Sequence, residues 1–268
     1  MKQIFDSLKK QSPSRIIALG FSAVILVGAV LLMMPFSLKK GVHLSFLNAL
    51  FTSTSAVCVT GLVVVDTADS FTAIGQAIVA ALIQIGGLGI ASVGVGLIIA
   101  AGKRVSIKSR LMVKEALNVD TYHGMVRLVR IVLAITLGFE AAGAIISFFV
   151  FRKDYSPLHA VGISIFHSIA AFNNAGFDNL GGMHNLIPYK DNILLNIITD
   201  ILVIVGGIGF LVLVDIVKQK SFKKLCLHSK VAISMTAVLL IGGTLILKAT
   251  ENITWMGAFF QSLSLIHI

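Results

Sequence analysis

The residues best suited to chemistry form one short stretch, Phe51 to Leu62, which reads Phe-Thr-Ser-Thr-Ser-Ala-Val-Cys-Val-Thr-Gly-Leu. Its second half is β-branched and closes on Gly61, a composition that argues against a continuing helix. Backbone that leaves the helix at membrane depth strands N–H and C=O groups, and it persists only where protein or a water path satisfies them. One use of such backbone is to aim carbonyl oxygens at a dehydrated cation, which they hold without net charge. The same pattern returns further along. Phe51 and Gly61 are ten residues apart, as are Phe166 and Gly176, and the loop ends read Val59-Thr60-Gly61-Leu62 and Asn174-Ala175-Gly176-Phe177. A glycine that merely ends a buried half-helix is the plainer reading of either loop alone, and the ten-residue repeat weighs against it.

The elements that position these loops are apolar. The 268 residues are 56% hydrophobic and 13% charged, with a mean hydropathy of +0.95, well away from a soluble domain and in the range of an integral membrane protein. Five stretches, 16–38, 73–101, 125–151, 193–217 and 230–247, are long enough to cross a hydrocarbon core of about 30 Å. The pieces 45–57, 157–172 and 254–262 are too short, the length expected of re-entrant helices. A cleaved signal peptide does not fit the first run, which is too long and lacks a small-residue cleavage site.

Charge sets the expected orientation. A net charge of +10 raises nucleic acid as a partner, but the basic residues sit in short links between apolar runs. That is the pattern of the positive-inside rule, and no nucleic acid is expected. With residues 1–15, the stretch 102–126 with its flanking Arg127 and Arg130, and 218–230 in the cytoplasm, 16 of the 22 Lys and Arg fall on that side. The lead residues Lys2, Lys9, Lys10 and Arg15 are among them. The opposite face carries Asp66, Asp69, Asp154, Asp178, Asp191 and Glu251. The bias holds only if each short piece enters and leaves by that outer face. Cys58 and Cys226 fall at opposite depths, so a disulfide framework is not expected.

The repeat extends beyond the loops. Gly86-Gly87-Leu88-Gly89-Ile90 and Gly206-Gly207-Ile208-Gly209-Phe210 recur in the spans that follow them. Each unit is a span, a re-entrant helix, a filter-like loop and a span. Residues 16–101 and 125–217 make two complete units, and 230–262 make part of a third. The fold expected is all-α and membrane-integral. Residues 263–268 do not continue as a filter loop; they match the translation of a transposon-end adapter from sequencing libraries and read as a non-native tail, with the natural chain continuing.

A span–loop–span unit repeated in one chain, with 54–62, 172–177 and 84–90 as its marks, resembles the Trk/Ktr/HKT superfamily of potassium-uptake proteins, most of all the bacterial Ktr membrane subunit. Family members carry four such units whose loops converge on one potassium filter. The resemblance implies a homodimer in the plasma membrane, with a pore in each protomer, resting on a cytoplasmic ring of nucleotide-binding regulatory subunits. It implies no enzyme activity, no resident cofactor and no metal other than the transported potassium. The resemblance further implies that the ion ligands are the main-chain carbonyls of Val59, Thr60, Gly61, Asn174, Ala175 and Gly176. In related plant transporters serine at the first loop glycine goes with sodium preference, so Gly61 leans towards potassium. The rival classes are a secondary transporter with inverted repeats and a membrane subunit with no transport of its own.

The remaining polar residues divide by context. Asp178, two positions past Gly176, is expected to gather cations at the outer mouth. Asp66 and Asp69 fit a solvated loop with structural pairing at least as well. Glu140 and Asp200 lie inside spans, where a carboxylate marks an ion path or a buried pair; the buried pair is favoured. None of the histidines at 43, 123, 159, 167, 184, 228 and 267 has metal-ligand spacing, and His167 is expected to pack or hydrogen-bond. Gly86-Gly87-x-Gly89 lacks a preceding strand and is read as close helix packing.

Overall fold

The computed structural model describes residues 11–117 and 124–267. Lys2, Lys9, Lys10, His123 and Ile268 lie outside them. Every regular element among the described residues is helical, apart from one isolated antiparallel bridge between Leu38 and Phe71. In chain order the helices are α1 (Pro13–Met33), α2 (Phe46–Cys58), α3 (Thr67–Ser70), α4 (Ala73–Leu88), α5 (Ile90–Ala100), α6 (Ile107–Ala116), α7 (Met125–Phe151), α8 (Pro157–Phe172), α9 (Ile193–Gly207), α10 (Phe210–Gln219), α11 (Leu227–Thr250) and α12 (Trp255–His267).

Local chemistry explains most of these boundaries. Pro13 and Pro157 open α1 and α8, where a missing N–H costs nothing. Ser45, Thr72, Ser106 and Asn192 cap α2, α4, α6 and α9 by accepting a backbone N–H three residues on. α1 stops at Met33 instead of running to 38, because Met34 precedes Pro35 and takes an extended conformation.

Among the described residues three helices, α1, α7 and α11, are individually long and apolar enough to cross a membrane. The stretches 73–101 and 193–217 are not straight spans. α4 and α5 bend by 104° at Gly89, and α9 and α10 by 97° after Gly207. Gly89 (φ 76°, ψ 138°) and Gly209 (φ 96°, ψ 137°) adopt a backbone closed to residues with a Cβ, so one glycine redirects each chain. Helix packing, expected of the whole cluster, applies instead to its other glycines. A methyl group at Gly86 would overlap the Val57 carbonyl, and one at Gly206 the Phe172 carbonyl. The bent helices thus approach the short ones backbone to backbone.

A second contact recurs three times. Ser53 Oγ donates to Ile25 O at 2.8 Å, Ser168 Oγ to Glu140 O at 2.7 Å and Ser262 Oγ to Leu240 O at 3.1 Å. Opposite each serine, three residues past the accepting carbonyl, stands a glycine: Gly28, Gly143 and Gly243. Each hydroxyl pins a short helix to the long helix before it, and each glycine makes the room.

The cores interlock. Phe166, Ala170, Ala175 and Phe177 of the second set of helices join the cluster of Ala29, Val57, Val79 and Ile83 in the first. Leu240 and Leu263 likewise join the cluster of Phe151, Ile163 and Leu202; Leu263 of the supposed tail is 2% exposed. The link after α5 is more than a charged loop. Val105 of the link and Val113 of α6 pack with Val95 and Val129, and Ser14 Oγ donates to Glu115 Oε1.

Gly28→Ala or Gly143→Ala, each thrusting a methyl into a serine and a leucine, is expected to lower stability by about 1–3 kcal/mol. Gly162→Ala, which meets open space, serves as a control and should leave stability unchanged or slightly raised. Thermal unfolding of the purified variants in detergent measures both.

Candidate functional site

α2 and α8 end in the same way. Val59 N donates to Ala56 O and Thr60 N to Ser55 O; Asn174 N donates to Ala171 O and Ala175 N to Ala170 O. This pair of bonds normally turns on a left-handed glycine. Here the left-handed residues are Val59 (φ 56°) and Asn174 (φ 56°), followed two positions later by Gly61 (φ 72°) and Gly176 (φ 65°). Asparagine visits that region readily, but a β-branched valine is strained there by about 1–3 kcal/mol. The glycines were legible as bends. The left-handed turn before each one was not, since valine is a poor candidate for it.

The two bends meet. A Cβ on Gly61 would lie 3.1 Å from Ala175 O and 3.3 Å from Gly176 Cα. Ala175 is fully buried, Thr60 exposed, and Val59, Gly61, Asn174 and Gly176 lie between. Among the described residues, no hydrogen bond uses the carbonyl oxygen of any of these six as acceptor. Beside them is a cavity of about 290 Å³ lined by Thr60, Gly61, Gly176, Phe177 and Asp178. His167, Thr199 and Val203 form another part of its wall, and Phe260 and Ser264 of α12 also line it.

Asp178 stands at this cavity with its Oδ1 accepting the Leu180 N–H at 3.0 Å. Burial pushes its carboxyl above the ordinary range and the Asp66 charge adds to this, while the Leu180 bond works against it. Asp66 and Asp69 are structural. Asp66 caps α3 and accepts from Met183 N at 2.8 Å, and Asp69 accepts from Gly182 N at 2.9 Å, so together they hold the loop after Gly176.

The intramembrane carboxylates differ from each other. Glu140 has the buried partner expected of it, the Asn173 amide at 3.3 Å. Asp200 Oδ1 is buried with no partner among the described residues. His167 shares a 3.0 Å hydrogen bond with Thr199 and meets Phe151 edge-on at 5.7 Å, the packing role expected of it; its place in the cavity wall was not foreseen. Asn173 was also missed. Its amide donates to Gln84 Oε1 at 3.1 Å as well as to Glu140, and its partners 89 and 33 residues away left no local signal. Cys58 and Cys226 are both free thiols.

Long apolar helices, with shorter ones folded back between them and ending in bends that touch, define a multi-pass membrane protein. Comparison with known proteins narrows the class. The profile of the TrkH family, described as cation transport protein, matches residues 8–265. The potassium/sodium uptake protein NtpJ of Enterococcus hirae is 40% identical over 91% of this chain and 54% of its own length. The Ktr system potassium uptake protein B of Bacillus subtilis is 40% identical over 91% of this chain and 52% of its own. Its namesake in Vibrio alginolyticus is 35% identical over 97% and 59%. The chain thus spans little more than half the length of these relatives. It belongs to the TrkH family of cation transport proteins, whose members are transporters and not enzymes.

Gly176→Ala forces a side chain into a left-handed turn, at a cost of about 1–2 kcal/mol. A lower midpoint of thermal unfolding than wild type is the expected result. Val59→Gly removes strain at the matching turn, and its midpoint should not fall.

Proposed function

We propose that the two bends are the first half of a carbonyl-lined filter for monovalent cations, and that the chain is the membrane subunit of a Trk/Ktr-type potassium-uptake system. The observation that carries this reading is the direct contact of Gly61 with Ala175 and Gly176, made by loops whose carbonyl oxygens accept no hydrogen bond among the described residues. Such oxygens replace the water of a dehydrating ion. α2 and α8 add their partly negative C-terminal ends to the same place, which favours a cation. The ligands are the carbonyls of Val59, Thr60, Gly61, Asn174, Ala175 and Gly176, with Asp178 drawing cations to the outer mouth. Potassium is the transported ion, and no other cofactor is required of this chain.

In this reading residues 1–15 face the cytoplasm of a cell whose plasma membrane holds units 16–101 and 125–217 and the partial unit 230–262. The basic links 102–124 and 218–229 lie on the cytoplasmic side, towards a nucleotide-binding regulatory ring. Two protomers pair, each with its own pore. The names of the relatives, potassium uptake in two cases and potassium/sodium uptake in the third, support a monovalent cation as cargo.

Gly61→Ser, expressed from the complete reading frame in a potassium-auxotrophic host, tests the filter. A side chain there must crowd Ala175 O, 3.1 Å from the added carbon, and displace both loops. Potassium preference over sodium should fall by roughly tenfold or more, about 1.4 kcal/mol of discrimination. Growth and flux ratios indistinguishable from wild type would remove the filter assignment. A second experiment follows from Asp178. Its raised pKa means the mouth loses its charge, as external pH falls, sooner than a free aspartate would. Uptake should therefore decline on acidification in the wild type and lose most of that dependence in Asp178→Asn.

A further inference from the structure

The two bends are not held alike. Asn173, the last residue before the left-handed turn of the second loop, directs one carboxamide at two neighbouring helices. Its Nδ2 donates to Gln84 Oε1 of α4 at 3.1 Å, to Glu140 Oε1 of α7 at 3.3 Å and to Ile169 O of its own helix at 2.9 Å. Its Oδ1 lies so close over Gly87 that a methyl group there would overlap it. The next residue pulls the other way. Asn174, its carboxamide oriented by its partners, donates to Val203 O and Ala171 O and accepts from Gly207 N, each at 3.1 Å. Consecutive amides therefore fasten the second bend to α4 and α7 on one side and to α9 on the other. The matching positions of the first loop are Cys58, which is exposed, and Val59, and neither can make such ties.

Glu140 serves this arrangement twice. Its main-chain oxygen receives Ser168 and its carboxylate receives Asn173, so it grips α8 at both places. A buried carboxylate and a buried amide that satisfy each other are much less costly than either alone.

We infer that Asn173 is a positioning residue: its carboxamide, held by Gln84, Gly87 and Glu140, sets where the second bend stands against the first and thereby tunes discrimination among monovalent cations. This rests on the filter reading above. Asn173 is not among the ligands; it acts through Asn174 and Ala175. The loops already touch at 3.1–3.3 Å from the Cβ position of Gly61, so releasing this amide shifts one set of carbonyls relative to the other. Selection between ions depends on the arrangement and field of those oxygens.

The test separates positioning from simple space-filling, using the full-length protein, potassium and sodium flux ratios, and thermal stability in detergent. Asn173→Ala should lower the potassium-over-sodium ratio by about tenfold, the scale of one hydrogen bond to a charged group. Adding Gly87→Ala places a methyl where Oδ1 had been; it should restore part of the stability and none of the ratio. Glu140→Gln keeps an acceptor oxygen and should hold the ratio within about twofold, whereas Glu140→Leu should match Asn173→Ala. Recovery of the ratio in the Gly87→Ala/Asn173→Ala double variant reduces Asn173 to a packing residue and overturns the inference. If Asn173→Ala fails to accumulate, the two Glu140 variants decide, and equal ratios overturn it. An unchanged ratio in Asn173→Ala, beside a changed one in Gly61→Ser, defeats this inference alone. An unchanged ratio in both defeats the filter reading as well.

Discussion

Main-chain polar groups cannot go unpartnered in hydrocarbon, and this chain leaves the helix at the ends of α2 and α8. The N–H groups at those ends fold back onto Ser55, Ala56, Ala170 and Ala171. The carbonyls of Val59, Thr60, Gly61, Asn174, Ala175 and Gly176 beyond them accept no hydrogen bond among the described residues, and Thr60, Gly61 and Gly176 line the cavity beside Asp178. Much of the remaining architecture keeps these two half-buried bends side by side, with α4 and α9 packed closely against the short helices that end in them.

The devices that do this are small. Glycines let the bent helices reach the short helices, at Gly86 against Val57 and Gly206 against Phe172. A serine hydroxyl and a facing glycine tie each short helix to the long one before it, in three successive places. Neither kind of contact relies on a hydrophobic driving force, which is weak between helices in a bilayer, where close approach and hydrogen bonding take over. Apolar side chains such as Leu26, Val27, Leu137, Ile145, Val238 and Ile241 are correspondingly exposed on the long helices, where lipid suits them.

Much of the candidate site was legible because two loops repeat one spacing. Gly61 and Gly176 could be picked out in that way, and they do come together. The glycine clusters were harder to divide. In an apolar run Gly86 and Gly89 look alike, yet one accommodates a neighbouring carbonyl and the other turns the chain by about a right angle. Which does which depends on φ, and φ depends on where the next helix must go. Val59 ran against its own preference, since local propensity yields where a fixed turn is demanded by packing. Asn173 gave no sign at all, because an asparagine beside a loop is ordinary until Gln84 and Glu140 stand next to it.

Composition, span length and the period of the repeat need only the chain itself, because they report how each segment meets lipid or water. They were enough for an all-helical membrane protein of repeated units and for the bends it is built around. Tertiary structure alone decided that the bends touch, that two apparent spans are broken, and that the second bend is fastened by amides the first lacks. Those outcomes join residues some 30 to 120 positions apart, and such meetings depend on crossing angles and sub-ångström clearances between helices that no local pattern encodes.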